Sequence, residues 1–148
     1  MLIRAALPSD AIEIARLTAE LGYAATPHEI AGRLSRVTDR SKQVVYVALV
    51  DERIAGWVQA QASEVLESGF RVEIVGLIVS GDFRRRGVGR RLVEAAEQWA
   101  IEHGTPALVV RSNAQRVESH RFYPALGFTT TKTQNVYRKP LPPPRPPS

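Results

Sequence analysis

The sequence predicts a mixed α/β fold, in which a central mixed sheet of six to seven strands carries about four helices on its two faces. Apolar residues recur at helical spacing near both ends of the chain and follow strand patterns in its middle. The predicted order is strand, two helices, three strands, helix, strand, helix, strand. Hairpins in the middle make antiparallel neighbours, whereas strand–helix–strand crossovers near the end make parallel ones.

The first part of the chain predicts one strand and two amphipathic helices. Leu2 to Ala5 form a short opening strand. Pro8, Ser9 and Asp10 then supply capping groups for a helix that ends at Gly22. Residues 26–29, with the sequence TPHE, are a capping box with proline at the first helical position, so a second helix begins there.

The middle of the chain predicts three strands. Residues 44–50 and 54–60 are rich in β-branched and apolar side chains and form a hairpin around residues 51–53. Residues 70–79 are almost wholly apolar in their second half, which suits a central strand covered on both faces. Gly76 interrupts this strand and predicts a bulge, or close approach by another backbone or a ligand.

The last part of the chain predicts two more helices and the remaining strands. Residues 88–103 carry one apolar stripe at helical spacing, and Gly104 ends this helix. Residues 107–110 form a strand, residues 115–126 a shorter helix, and residues 128–138 one or two closing strands.

The composition predicts one domain over residues 1–139 and a proline-rich tail over residues 140–148. A chain of 148 residues with 44% hydrophobic content suffices for one core and is too short for two ordinary domains. Six of the ten prolines lie between Pro140 and Pro147, and we expect this tail to be extended and disordered. Pro143 and Pro146 have the spacing of a PxxP ligand, although a frayed terminus is the favoured interpretation.

Several kinds of site are excluded. The chain has no cysteine, which excludes disulfides, thiolate zinc sites, iron–sulfur clusters and a cysteine nucleophile. Its histidines, His28, His103 and His120, are scattered and have no acidic partner at metal spacing, so we expect no metal site.

Charge and hydropathy place weaker limits on partners and location. The net charge of +5 makes anionic partners plausible without deciding among them. No basic stretch followed by a long apolar run opens the sequence. We therefore expect no secretory signal, no membrane span and a cytoplasmic location.

A basic loop that contains glycine joins the long apolar strand to the longest helix. Residues 84–89 have the sequence RRRGVG. Helix N-termini present unpaired N–H groups, and Gly87 and Gly89 would let an anion approach the backbone, so the loop predicts phosphate binding. The alternative is a solvated arginine cluster before a helix. Neither G-x-G-x-x-G nor G-x-x-x-x-G-K-[ST] occurs, which excludes the common dinucleotide and P-loop sites.

The motif Arg84-x-x-Gly87-x-Gly89 resembles the acetyl-coenzyme A signature of the GNAT N-acetyltransferase superfamily. Residues 113–128 resemble the second conserved region of that superfamily, above all in SHRFY at 119–123 and LGF at 126–128. The order of elements over residues 1–139 fits as well. The chain is thereby identified as a small, single-domain, bacterial-type member with a GNAT-like fold.

The resemblance implies how acetyl-CoA binds. Backbone amides of the 84–89 loop hold its pyrophosphate, and its pantetheine lies between two splayed strands, here 70–79 and 106–111. A backbone N–H near Leu77 meets the thioester oxygen. The cofactor-binding residues implied in this way are Leu77, Ile78, Val79, Arg84, Arg85, Arg86, Gly87, Val88, Gly89, Asn113, Ser119 and Tyr123.

Two residues are candidates for proton transfer. Glu73 lies on the strand that leads to the cofactor site and is the candidate base, in contact with the acceptor amine. The alternative is an ion pair with Arg71 or with an arginine across the sheet. Tyr123 is the candidate acid toward the leaving thiolate, or else a core aromatic residue. Pro124 is expected to turn Tyr123 away from helical torsions.

The resemblance also implies an acceptor pocket built from residues 21–26, where Tyr23 could line it, and from residues 130–137. Acceptors in the superfamily include aminoglycosides, polyamines, amino acids and protein amines, and a homodimer is common. Glu20, Glu29, Glu64 and Glu67 are candidates to converge around a polycation. The expected function is acetyl transfer from acetyl-CoA to a primary amine. The alternatives are a non-catalytic acyl-CoA-binding module and a basic nucleic-acid-binding domain, the last being least favoured.

Overall fold

A single mixed sheet of five strands is formed in the computed structural model, which describes residues 1–37, 41–111 and 117–147, with the backbone alone for residues 117–119. The strands are β1 (Leu2–Ala5), β2 (Gln43–Val50), β3 (Arg53–Val65), β4 (Gly69–Val79) and β5 (Leu108–Val110). They lie in chain order across the sheet. Strands β1 to β4 are antiparallel, and β5 is parallel to β4. The predicted mixed α/β fold class is confirmed.

The described residues form four α-helices: α1 (Ala11–Glu20), α2 (Pro27–Arg36), α3 (Val88–Glu102) and α4 (Val117–Ala125). The predicted capping box of α2 is present, because Thr26 Oγ1 accepts from Glu29 N and Glu29 Oε1 accepts from Thr26 N, each at 3.0 Å. Short 3-10 turns, Pro8–Asp10 and Gly81–Phe83, follow β1 and β4. No helix among the described residues is both long and apolar enough to cross a bilayer.

Helices α1 and α3 cover opposite faces of the sheet. Neighbouring residues on β3 show this, because successive side chains on a strand point to opposite faces. Trp57 Nε1 donates to Thr18 Oγ1 of α1 at 3.3 Å. At Gly56, an added Cβ would lie 3.2 Å from Val88 Cγ1 and 3.1 Å from Leu92 Cδ1, both of α3. The face of Trp57 is called the α1 face, and that of Gly56 the α3 face.

A β-bulge lies in β4 at Val75. Gln59 is opposite Gly76 and the next residue of β3, Ala60, is opposite Ile74, so Val75 is the extra residue. The predicted interruption at Gly76 is therefore confirmed. The bulge changes which positions share a face, and it places Glu73 and Gly76 together on the α1 face.

The outer edge of β4 is only partly paired. Strand β5 pairs with it at Val72, Glu73 and Ile74. From Val75 to Val79, no strand of the described part of the chain pairs with this edge. Half of β4 therefore has an open edge that leads toward the residues before α3.

The chain divides into two compact units, Met1–Arg111 and Ser112–Ser148. The first contains the sheet with α1, α2 and α3, and the second contains α4. The predicted division into a domain of residues 1–139 and a tail stays a prediction. Residues 140–147 are exposed and have no regular secondary structure.

Two expectations for the second unit are wrong. Tyr123 is helical, because Pro124 lies in the last turn of α4, where its missing N–H costs at most one helical hydrogen bond. Residues 128–140 form no strand. Val136 and Tyr137 are 90% and 89% exposed, so little apolar burial holds this segment as a strand. The sheet of the described residues accordingly has five strands, fewer than the six to seven expected.

Candidate functional site

The turn after β4 is anchored at its first residue. Ser80 is 1% exposed, and its N–H donates to Ala55 O of β3 at 2.8 Å. Its hydroxyl accepts from Asp82 N at 3.4 Å. The side chain of Phe83 is also buried. The turn is therefore fixed on the sheet before the chain enters the exposed arginine segment.

At the end of this turn, α3 begins with backbone amides that have no acceptor within the helix. The helix follows Gly87, which has φ +77°, and none of the side chains that the structure describes caps it. Arg91 N donates to Gly87 O at 3.1 Å, so the amides of residues 88–90 precede the first helical bond and have no acceptor within the helix. The first turn contains no acidic residue. This arrangement suits an anion such as a pyrophosphate.

Arginine side chains add positive charge at the same place. Arg84, Arg85 and Arg86 are exposed. Arg86 is held near the turn, because its guanidinium lies over the Phe83 ring at 5.6 Å from the centroid. Within the described residues, neither Arg85 nor Arg86 forms an ion pair, so their charge is available to a ligand.

The amides of Leu77 and Val79 point toward the open edge of β4. The hydrogen bond from Ser80 N to Ala55 O fixes this, because successive residues on a strand direct their N–H groups to opposite edges. Ile78 differs from its two neighbours. Its backbone faces β3, and its side chain is buried in the core against α1. Ile78 therefore directs its backbone groups away from the open edge, and its implied cofactor contact stays a prediction.

Glu73 forms an ion pair across the sheet. It projects on the α1 face opposite Gln61, and its side chain is 14% exposed. Its Oε1 lies 2.5 Å from Nη1 of Arg111, the residue after β5. The contact is charge–charge in nature, since Oε1 has no aligned hydrogen bond in the described part of the chain. Glu73 thus forms the predicted ion pair, with an arginine from across the sheet. Its role as the base stays a prediction.

The candidates in the second unit stay predictions. Asn113 lies outside the described residues, and Ser119 is described by its backbone alone, within α4. Tyr123 is half-buried, and its ring meets Phe122 and Phe128 edge-on, at 5.0 and 5.6 Å between centroids. An aromatic cluster therefore surrounds Tyr123 within its own unit.

The four glutamates do not converge. Glu64 is opposite Phe70 near the first end of β4, whereas Glu20 reaches Gly81 beyond the other end. About ten strand residues, on the order of 30 Å, separate these two places. Glu29 is occupied at the start of α2, where the Thr26 backbone N–H is the main cause that lowers its pKa. Tyr23 is half-exposed in the loop after α1, where its N–H donates to Thr18 O.

Two contacts near the site had no signal in the sequence. Glu20 Oε1 accepts from Gly81 N at 3.2 Å and from the Ser80 hydroxyl at 3.5 Å, so the end of α1 contacts the turn after β4. Trp57 lies over the bulge, because a Cβ added to Gly76 would come 2.8 Å from its Cζ3 atom. Both contacts join residues far apart in sequence.

The described residues contain no group of three or more histidine, aspartate and glutamate side chains that could hold a metal ion. His103 is occupied otherwise, with Nδ1 2.8 Å from Trp99 O and Nε2 3.0 Å from Ser41 O.

Comparison with known proteins gives consistent matches. The model of the acetyltransferase (GNAT) family matches residues 12–128. The aminoglycoside N(6')-acetyltransferase type 1 of Stenotrophomonas maltophilia is 27% identical over 146 residues, which cover 95% of this chain and 94% of that protein. Human N-acetylaspartate synthetase is 31% identical over 83 residues, 56% of this chain, and the match spans about a quarter (26%) of its length.

Among solved structures, aminoglycoside acetyltransferase AAC(6')-Iy in complex with the bisubstrate analogue CoA-S-monomethyl-acetylneamine superimposes with a TM-score of 0.81. The superposition covers 95% of this chain and 98% of that one, at 21% identity. At this identity the match establishes a shared fold.

Proposed function

The chain belongs to the GNAT acetyltransferase family, and we propose that it transfers the acetyl group of acetyl-CoA directly to a primary amine of a small molecule or peptide. One observation carries the proposal: the open edge of β4 leads into the turn whose end presents the uncapped amides of α3. A ligand with an extended arm that ends in a phosphate would fit both the open edge and the amides. The pantetheine arm and pyrophosphate of coenzyme A have this form.

The residues of the first unit fit the cofactor. Amides of residues 87–89, with Arg84, Arg85 and Arg86, would hold the pyrophosphate. Leu77 and Val79 would bind the pantetheine through their main chains, as an added strand does. When bound, acetyl-CoA supplies an activated acetyl group as a thioester. The outward N–H of Leu77 would donate to the thioester oxygen, where negative charge develops during the transfer.

Glu73 and Tyr123 are proposed to move the two protons. The amine nitrogen forms a bond to the acetyl carbon, and the carbon–sulfur bond breaks. Glu73, held by Arg111, would take the proton from the amine, directly or through water. Tyr123 would return a proton to the thiolate of coenzyme A, and Asn113 and Ser119 are proposed to contact the cofactor.

The acceptor is proposed to bind on the α1 face, between Glu73 and the loop that contains Tyr23. The two relatives act on different amines by their names, an aminoglycoside and aspartate, so they support a small-molecule amine without selecting one. A homodimer and a cytoplasmic location stay predictions.

The test is thiol release from acetyl-CoA by the full chain, measured over a panel of amines. We expect acetylation of at least one amine and tight binding of coenzyme A by calorimetry. Binding of coenzyme A without transfer to any amine would favour the non-catalytic acyl-CoA-binding module. Affinity for generic DNA or RNA that coenzyme A does not compete away would favour the nucleic-acid-binding alternative.

A further inference from the structure

Three charged side chains lie on or beside the part of β4 that precedes its open edge. Arg71 and Glu73 are two residues apart on β4 and so share one face. Arg111 reaches Glu73 from the end of β5. Glu73 and Arg111 lie where the pairing of β4 with β5 ends, next to the segment proposed to hold the thioester, and Arg71 directly precedes the first paired residue, Val72.

This cluster carries a net positive charge. Glu73 is paired with Arg111, and no carboxylate of the described residues pairs with Arg71. The side chain of Arg71 is half-buried, and its Nε is covered without a hydrogen-bond partner. The residues opposite Arg71 and Glu73 on β3, Ser63 and Gln61, are neutral. A half-buried guanidinium without an anion is unfavourable, and a carboxylate ligand would relieve it.

Acidic residues that would attract a polycation are engaged elsewhere. Glu20 contacts the turn after β4, and Glu29 caps α2. Glu64 lies toward the β3–β4 hairpin, opposite Phe70. Counted over the described residues, the face beside Glu73 therefore offers one carboxylate and two guanidinium groups, which is the charge pattern complementary to a zwitterion.

We propose that the acceptor bears a carboxylate close to its primary amine, as an amino acid does, and that Arg71 with Arg111 selects for it. This inference rests on the proposed acetyl transfer. Glu73 takes the amine through the oxygen not engaged by Arg111, and the two guanidinium groups bind the carboxylate of the acceptor. A polycationic amine meets two like charges at the same place and is disfavoured.

The first experiment uses the unmodified full chain. Glycine, β-alanine and L-glutamate are compared as acceptors with amides that lack the carboxylate, and with spermidine and kanamycin as polycations. We expect kcat/KM for the best carboxylate acceptor to exceed that of its amide about tenfold or more, which is the usual scale for one charge-assisted contact. The amino group of an amino acid amide is less basic than that of the amino acid, so more of it is unprotonated at neutral pH. This difference favours the amide as acceptor and therefore opposes the expected result.

The second experiment changes the guanidinium. Arg71→Gln should raise KM for the carboxylate acceptor about tenfold, with little change for the amide, and Arg71→Lys should retain part of the preference. Arg33→Gln, on the exposed surface of α2, is the control with the same change of charge. Coenzyme A affinity and thermal unfolding of each variant report whether the fold is intact.

The outcomes separate the two proposals. Acetylation of polycations or amides in preference to carboxylate acceptors would overturn the selectivity and leave the acetyl transfer standing. The same holds if Arg71→Gln lowers kcat/KM equally for a carboxylate acceptor and its amide. Binding of coenzyme A without transfer to any amine of the panel would overturn both proposals.

Discussion

Glu20 Oε1 accepts a hydrogen bond from the backbone N–H of Gly81 at 3.2 Å, across 61 positions of sequence. The same oxygen lies 3.5 Å from the hydroxyl of buried Ser80, and Arg16 pairs with the other oxygen at 3.6 Å. Glu20 is the last residue of α1, and Gly81 begins the turn that leads to the proposed pyrophosphate loop. The end of α1, which leads into the loop of residues 21–26, and the turn before the proposed pyrophosphate loop are thus connected through one carboxylate.

Replacement of Glu20 should weaken cofactor binding without direct contact to the cofactor. Glu20→Ala leaves the turn without its acceptor, so we expect the Kd for coenzyme A to rise about threefold to tenfold, on the order of 1 kcal/mol. Glu20→Gln keeps an oxygen at the same place and should restore most of the affinity. Calorimetry with coenzyme A measures both.

Glu13→Gln is the matched control for this prediction. It removes a neighbouring charge on α1 that pairs with the same arginine, Arg16, and makes no contact with the turn. An equal loss of affinity in Glu13→Gln and Glu20→Ala would assign the effect to charge on α1 and contradict the role of the hydrogen bond.

The contact between Trp57 and Gly76 should limit substitution at the bulge. In Gly76→Ala, the new Cβ would lie 2.8 and 2.9 Å from two ring carbons of Trp57, so we expect a loss of about 1–3 kcal/mol in the free energy of unfolding. The smaller ring of Trp57→Phe should relieve the clash. Urea unfolding of the two single variants and the double variant measures their coupling, and additive losses would contradict a direct contact.

A negative charge at the start of α3 should strongly weaken cofactor binding. Gly89 is the second residue of α3 and buried. Gly89→Asp places a carboxylate at the proposed pyrophosphate site, while an acidic residue in the first turn suits the helix itself. We expect the Kd for coenzyme A to rise about 100-fold, on the order of 3 kcal/mol, and helix content by circular dichroism to be retained.

Gly89→Ala separates charge from size in this test. It fills the same space without the carboxylate and should bind coenzyme A more tightly than Gly89→Asp. Unchanged affinity in a folded Gly89→Asp protein would remove the loop from the cofactor site.

Local sequence patterns predicted most of the fold. They could not predict contacts between residues that are far apart in sequence. The capping box of α2 depends on Thr26 and Glu29, three residues apart, and the sequence shows it directly. The partner of Glu73 is Arg111, 38 positions away, and only the register of β4 with β5 selects it over Arg71. Residues 128–138 look like strand because of their threonines, but a strand needs a partner and buried side chains, which no local pattern reports.

The ion pair of buried Asp10 with half-buried Arg4 should make stability depend on pH in the acid range. Arg4 donates to both oxygens of Asp10, at 2.8 and 3.0 Å, and Leu7 N donates at 2.7 Å. These contacts, the side-chain hydrogen bond with Arg4 first, lower the pKa of Asp10. The Asp10 carboxyl therefore holds its proton less tightly in the folded state than in the unfolded state, where the pKa of an aspartate is about 3.9. The stabilisation is present above that pH and is lost as the pH falls through the lower folded pKa.

Asp10→Asn should cost about 1–3 kcal/mol at neutral pH, and the difference from the unmodified protein should shrink below about pH 4. Denaturant unfolding at several pH values measures this. Asp51→Asn, in the exposed turn between β2 and β3, serves as a surface control with the same change of side chain. A difference that is constant from pH 7 to pH 2 would show that shape rather than charge sets the effect.

The last prediction concerns Glu73, where an ion pair and a catalytic base are competing roles for one carboxylate. The pKa of an alkyl ammonium is about 10.4, so the amine is mostly protonated at neutral pH and needs a base most at low pH. Glu73→Gln should therefore lower kcat/KM most at low pH, and the deficit should narrow as the pH approaches the pKa of the amine. Glu64→Gln, a strand glutamate near the β3–β4 hairpin, should leave the profile unchanged. A role confined to the ion pair with Arg111 predicts a small loss that is the same at every pH, together with a lower free energy of unfolding. The pH profile of kcat/KM thus separates the two roles, because only proton removal becomes easier as the solution itself deprotonates the amine.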